Sequence, residues 1–186
     1  MVMETSAVPR AATAKTGRRP AAPAGPSRTA ARPAGRARGA SALAVTQFSE
    51  VYGATQAARV DLIKHGVAAT DIARLAKSMG VTKERLLETL GLSAATINKK
   101  VRARQKLSIE QGERVVGIAK LVGQVQAMVE RSGDPTDFNA AQWVASWLED
   151  ANPALGGRTP ASYMDTVTGQ ELVSNLLLKA ETGAYA

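Results

Sequence analysis

Residues 83–104 read KERLLETLGLSAATINKKVRAR, and the fold turns on them. Leu86, Leu87 and Leu90 recur at helical spacing behind Thr82, a hydroxyl residue suited to accept from the free N–H groups that open a helix. Gly91 stops that helix, because glycine takes the left-handed backbone of a helix end without a Cβ clash. Ser93 opens the next one, which runs to about Arg104 with Ile97 and Val101 inward. Two short helices joined by Gly91-Leu92-Ser93 have the proportions of a helix-turn-helix.

The second helix of such a unit enters the major groove of duplex DNA, so it must be cationic outside and apolar beneath. No acid lies between Glu88 and Glu110, and nothing there cancels the charge of Lys99, Lys100, Arg102 and Arg104. Ser93, Ala95, Thr96, Asn98, Lys99, Lys100, Arg102 and Arg104 therefore form the candidate DNA-binding set. Ala95, Thr96, Lys99 and Lys100 stand near the start of the helix, where side chains meet base edges. Arg102, Arg104 and Lys106 are better placed for phosphates. A solvated cationic face on a bundle that binds no DNA is the other reading of the same residues.

Working outward, helical signals continue on both sides. Upstream, residues 56–64 form a short candidate closing at His65-Gly66, and Thr70 precedes a helix with Ile72, Leu75, Ala76 and Met79 on one face before Gly80. Downstream, Ser108-Ile109-Glu110-Gln111 has capping-box form and opens a longer helix to about Arg131. Its stripe is Val115, Ile118, Ala119, Val122, Val125 and Val129. Gly112, Gly117 and Gly123 each cost roughly 1 kcal/mol there relative to alanine, which fits either a dimer seam or close packing within the chain. Ser132-Gly133-Asp134-Pro135 breaks the pattern before a helix over 139–150, whose Trp143 and Trp147, one turn apart, are expected in the core. Thr159-Pro160 restarts the chain after a Leu155-Gly156-Gly157 loop. Thr168-Gly169-Gln170-Glu171 reads as a second capping box, followed by Leu172, Val173, Leu176 and Leu177 inward and Gly183 as a C-cap. No strand-like alternation occurs, so the fold class is all-α.

The first 44 or so of the 186 residues differ in kind. They alternate Ala, Pro, Gly, Ser, Thr and Arg without an aromatic, and cannot bury enough apolar surface to offset the roughly 1–2 kcal/mol per residue lost on ordering. The expected organisation is a disordered basic arm over 1–45, a helix-turn-helix domain with a long connecting helix over 46–131, and a helical domain over 132–186. Arg10, Lys15, Arg18, Arg19, Arg28, Arg32, Arg36 and Arg38 face a single acid, Glu4, in the arm. Behind Arg131 the balance reverses, with Asp134, Asp137, Glu149, Asp150, Asp165, Glu171 and Glu181 against Arg131, Arg158 and Lys179. A basic front and an acidic rear imply two partners, one a polyanion.

Catalytic chemistry is not legible. Cysteine is absent, which excludes disulfides and thiolate metal sites, and His65 is the lone histidine, at a helix end where a cation suits the dipole. Gly156-Gly157 is too short for a phosphate loop, so no cofactor, metal or enzyme activity is expected. No apolar run reaches the roughly 20 residues of a membrane span, and a cytoplasmic protein, nucleoid-associated when bound to DNA, is expected.

The rear third adds a motif. Trp147-Leu148, Asn152-Pro153-Ala154-Leu155-Gly156-Gly157, Thr159-Pro160, Asp165-Thr166, Gly169 and the closing Glu181-Thr182-Gly183-Ala184-Tyr185-Ala186 resemble the toxin-binding domain of the Xre/MbcA/ParS antitoxins, partners of RES-domain toxins. The resemblance continues upstream through Thr96-Ile97-Asn98-Lys99-Lys100 and Leu107-Ser108-Ile109-Glu110-Gln111-Gly112. It implies an Xre-like helix-turn-helix domain that binds operator DNA and represses its own operon, and a C-terminal domain that docks on a cognate RES-domain toxin as part of a complex containing antitoxin homodimers. Such toxins consume NAD, and the antitoxin's C-terminus covers their NAD pocket. Carried onto this chain, Leu155, Gly156, Gly157, Thr159 and Pro160 shape the docking loop, and Glu181, Gly183, Ala184, Tyr185 and Ala186 reach the toxin's active site. The family commonly carries arginines where Asn98, Lys99 and Lys100 stand, and the basic arm lies outside its pattern. A stand-alone regulator or nucleoid-associated protein, gripping DNA through that arm, is the alternative function, with an enzyme of unknown type behind it.

Overall fold

The computed structural model describes residues 43–133 and 135–181; the readings made on residues 1–42, on Asp134 and on residues 182–186 fall outside them. Eight α-helices follow one another: α1 (Phe48–Gly53), α2 (Gln56–His65), α3 (Asp71–Met79), α4 (Lys83–Thr89), α5 (Ala94–Arg102), α6 (Ile109–Ser132), α7 (Ala140–Glu149) and α8 (Val167–Glu181). Two 3₁₀ turns, Pro153–Leu155 and Pro160–Tyr163, connect α7 to α8. Among the described residues there is no strand, only an isolated bridge between Ala68 and Lys106. The chain is all-α.

Local chemistry explains most of the boundaries. The hydroxyls of Thr55, Thr82 and Ser93 accept from the backbone N–H three residues on, which satisfies one of the orphan donors at each helix start. Ser108 and Gln111 exchange hydrogen bonds as a full capping box on α6. Asn139 caps α7 in the same way. Gly80 ends α3 at φ +68°, its N–H donating to Ala76 and Lys77. Thr70, expected as a cap for α3, makes no side-chain cap bond because its own backbone is already helical.

Helix α6, 24 residues long, is the axis of the core. Val115, Ile118, Ala119, Val122 and Val125 are buried along it, and α1, α2, α7 and α8 pack around it. Helix α1 carries no cap signal in the sequence and exists because α6 receives it: a Cβ on Gly123 would run into the Phe48 carbonyl. A Cβ on Gly117 would likewise strike the Gln170 amide. These two glycines serve packing within the chain, not a dimer seam. Val45, read as the end of the arm, is buried, and Leu43 packs against the same core.

One core runs through residues expected in separate domains. Leu75, Leu86 and Ile97 belong to the same buried cluster as Val144, Met164 and Val173. Buried amides reinforce it. Gln124 Nε2 donates to the Ser174 carbonyl at 3.0 Å while the Ser174 hydroxyl donates to Gln124 Oε1 at 2.6 Å. Gln170 Nε2 donates to the carbonyls of Arg114 and Met164 at 3.0 and 2.9 Å.

Two expectations for the rear are corrected. The α8 cap is Thr166, whose hydroxyl accepts from Gly169 N–H at 3.1 Å, so the helix begins at Val167 and Thr168 lies inside it. That phase turns Gln170 into the core and Leu172 outward, to 41% exposure. Trp143 is no core residue either. It lies 39% exposed and stacks on Trp147 with ring centroids 5.8 Å apart and planes 9° apart.

Candidate functional site

The turn between α4 and α5 is built from several directions. Gly91 sits at φ +59°, and Leu92 N–H closes onto the Leu87 carbonyl at 2.8 Å, burying the Leu92 side chain. From α6, Arg114 Nη1 donates to the carbonyls of Leu90 and Gly91 at 3.2 and 3.0 Å. A guanidinium here holds carbonyls that the end of α4 leaves without helical partners. Arg114 escaped the sequence reading because it sits on α6 with no motif to mark it; only the fold brings it to the turn.

Ile97 is fully buried and fixes the rotation of α5. At 3.6 residues per turn, Ala95, Lys99 and Arg102 then point away from the core. With Asn98 and Ala103 they line one open concavity. Thr96 and Lys100 lie on the flank of the same helix, and Ser93 is its cap. Asn98 is not free, for its Oδ1 accepts from Lys83 Nζ at 2.9 Å and braces α5 to α4. Lys100 Nζ donates to the Lys106 carbonyl at 3.3 Å. Helix α5 ends at Arg102, two residues short of expectation, and Arg104 follows it at φ +50° with its side chain exposed.

One acid that interacts with this helix is Glu110, in the first turn of α6. Its carboxyl titrates below the usual range, held charged by a backbone N–H and the Ser108 hydroxyl, with Arg114 and Lys100 adding attraction. An exposed face of Lys99 and Arg102 therefore looks outward with no carboxylate on its own helix. It is suited to a polyanion.

At the other end, the Leu155-Gly156-Gly157 loop is tied down by Asn152. Asn152 Oδ1 accepts from Ala154 N–H at 2.9 Å, its carbonyl accepts from Leu155 and Gly157 at 3.0 Å, and its N–H donates to Arg158. Gly156 and Gly157 take φ +65° and +81°, both exposed, with open space where a Cβ would be. Thr159 is half-buried, and Pro160 is buried at the start of the second 3₁₀ turn, where it fixes the loop from below. At the end of α8, Glu181 Oε1 accepts from Arg131 Nη2 at 2.8 Å and from Nε at 3.2 Å. Gly183, Ala184, Tyr185 and Ala186 lie outside the described residues. Among the described residues no group of three or more His, Cys, Asp or Glu is placed to hold a metal, and no helix is long and apolar enough to cross a membrane.

A helix-turn-helix bundle carrying a second helical module on the same core defines the class: an all-α helix-turn-helix protein with an appended helical unit. Comparison with known proteins makes it specific. The family model described as the antitoxin Xre-like helix-turn-helix domain matches residues 58–120. That of the antitoxin Xre/MbcA/ParS C-terminal toxin-binding domain matches residues 136–183. The chain is 43% identical over 139 residues to a Prs ADP-ribosylating antitoxin of Sphingobium sp. (strain YBL2), covering 75% of this chain and 87% of the relative. The chain belongs to the Xre/MbcA/ParS family of antitoxins. It is an antitoxin with a helix-turn-helix domain and a toxin-binding domain.

Proposed function

We propose that this antitoxin neutralises a RES-domain, NAD-consuming toxin in the cytoplasm by laying its C-terminal segment over the toxin's active site. Leu155, Gly156, Gly157, Thr159 and Pro160 shape the docking loop, Glu181 anchors the end of α8 at the toxin surface, and Gly183, Ala184, Tyr185 and Ala186 enter the NAD pocket. The antitoxin acts as a homodimer within the complex and represses its own operon through α5, with Ser93 orienting the helix. Ala95, Thr96, Lys99 and Lys100 meet bases while Arg102 and Arg104 meet phosphates; Asn98 acts through its brace to Lys83.

The observation that carries the reading is the anchored end of α8. Arg131 grips Glu181 and ties the end of the last helix of the toxin-binding domain to α6, at the position in the sequence where the proposed covering segment begins. The relative's name links it to ADP-ribosylation, a transfer that draws its ADP-ribose from NAD.

Co-expression with the cognate RES-domain toxin tests this. The full chain is expected to restore growth and copurify with the toxin. A chain stopped after Glu181 is expected to copurify yet leave the toxin's NAD hydrolysis or transfer largely active. Equal inhibition by both chains would refute the covering of the active site. A parent chain that neither binds the toxin nor shifts its own promoter DNA would refute the whole reading.

A further inference from the structure

Four large apolar side chains within the matched toxin-binding segment stand exposed: Trp143, Val167, Leu172 and Leu178. They are not equivalent. Trp143 already spends one ring face on Trp147 and meets Phe138 at a tilt. Val167 opens onto a groove lined mostly by α2 and α6, outside that segment. Leu172 lines a groove of about 500 Å³ whose whole lining falls between residues 154 and 179.

The groove has a definite construction. One wall is the 3₁₀ turn, through Ala154 and Leu155; the other is the outer face of α8, through Thr168, Leu172, Asn175 and Leu176. On α8, Thr168, Leu172 and Asn175 follow at spacings of four and three, so they share one stripe, and Leu176 closes its base toward the core. Gly156 and Gly157 lie directly beyond Leu155, bare of side chains, and no atom of the described residues comes within 4 Å of where their Cβ atoms would stand. An apolar floor with a polar border is the anatomy of an anchor pocket in a protein interface.

We propose that this groove between the 155–157 loop and α8 is the primary anchor site for the toxin, with Leu172 as its central contact and an apolar or aromatic side chain of the toxin as its occupant. Two observations choose the toxin over other occupants. The lining belongs entirely to the segment whose family binds toxins. The groove also borders, through Ala154 and Leu155, the loop to which the function proposed above assigns toxin docking, so it is continuous with that surface. The inference rests on the function proposed above and adds the surface that supplies the affinity.

The test uses the full chain and the purified RES-domain toxin, with affinity read by calorimetry or biolayer interferometry. Leu172→Glu is expected to weaken toxin binding at least ~30-fold, as for a central hot-spot residue, while thermal melting and promoter binding stay at parental values. Val60→Glu, an equally exposed valine on α2, is the control and is expected to change toxin affinity less than about 3-fold. If the parent binds and Leu172→Glu binds equally well, the anchor site is overturned while the antitoxin reading stands. If the parent does not bind at all, both fall. Two further outcomes overturn it. In one, Leu172→Glu dissolves a homodimer without touching toxin affinity, making the groove an interface between copies. In the other, the effect of Leu172→Glu disappears in a chain stopped after Glu181, making residues 182–186 its occupant.

Discussion

Among single residues, the sharpest claim concerns Lys99. Burial of Ile97 sets the helix rotation, and rotation decides which of the cations faces outward; Lys99 stands opposite the core, while Lys100 turns back toward the Lys106 carbonyl. Lys99→Ala is expected to weaken binding to promoter DNA without lowering the melting temperature. If its contact is a phosphate, the slope of log affinity against log salt falls by about one unit; if a base, discrimination between operator variants narrows instead. Unchanged affinity and slope would return Lys99 to plain solvation. Asn98 shows what residue type alone leaves out. Its position on α5 puts it in the DNA-binding set, and the fold gives its Oδ1 a second task, accepting from Lys83 and bracing α5 to α4.

Individual elements owe their existence to α6. Helix α1 is six residues long, too short to hold by itself, and survives by seating its first carbonyl over Gly123. Gly123→Ala is therefore expected to destabilise the fold by about 1–3 kcal/mol through overpacking, despite alanine's better helix propensity. Gly112→Ala, facing Ile63 and Val67 at ordinary contact distances of 3.8 and 4.0 Å, is expected to stabilise by several tenths to about 1 kcal/mol. Opposite signs for two glycines on one helix, read by urea titration, check the account; like signs would break it. The turn of the helix-turn-helix depends on α6 as well, through Arg114, whose own carbonyl accepts from Gln170 of α8. Elements that look sequential in the chain are joined laterally at this point.

Across the whole molecule, that lateral joining predicts cooperativity. Residues 46–131 and 132–186 share one buried cluster and the Gln124–Ser174 and Gln170–Arg114 hydrogen bonds. The described body is expected to unfold in a single transition, with calorimetric and van't Hoff enthalpies equal. Two resolved transitions would mean that the modules fold independently. A shared core also means that α5, proposed to read DNA, and the groove beside Leu172, proposed to seat the toxin, lie on one continuous body, so their positions are mutually fixed.

Much was legible from the residues alone. Caps at Thr82, Ser93 and Ser108 and the stops at Gly80 and Gly91 act within a turn of backbone, so local sequence determines them, and the helix-turn-helix and the family motif follow. Phase errors arose where a distant partner decided the outcome. Thr168-Gly169-Gln170 has the letters of a cap, but Gln170 gains two buried carbonyls by turning inward, which moves the helix start to Val167 and exposes Leu172. Local hydrogen bonding is written in neighbouring residues. The packing of α1 on Gly123, the reach of Arg114 to the turn and the groove beside Leu155 depend on contacts tens of residues apart, and only the tertiary structure sets them.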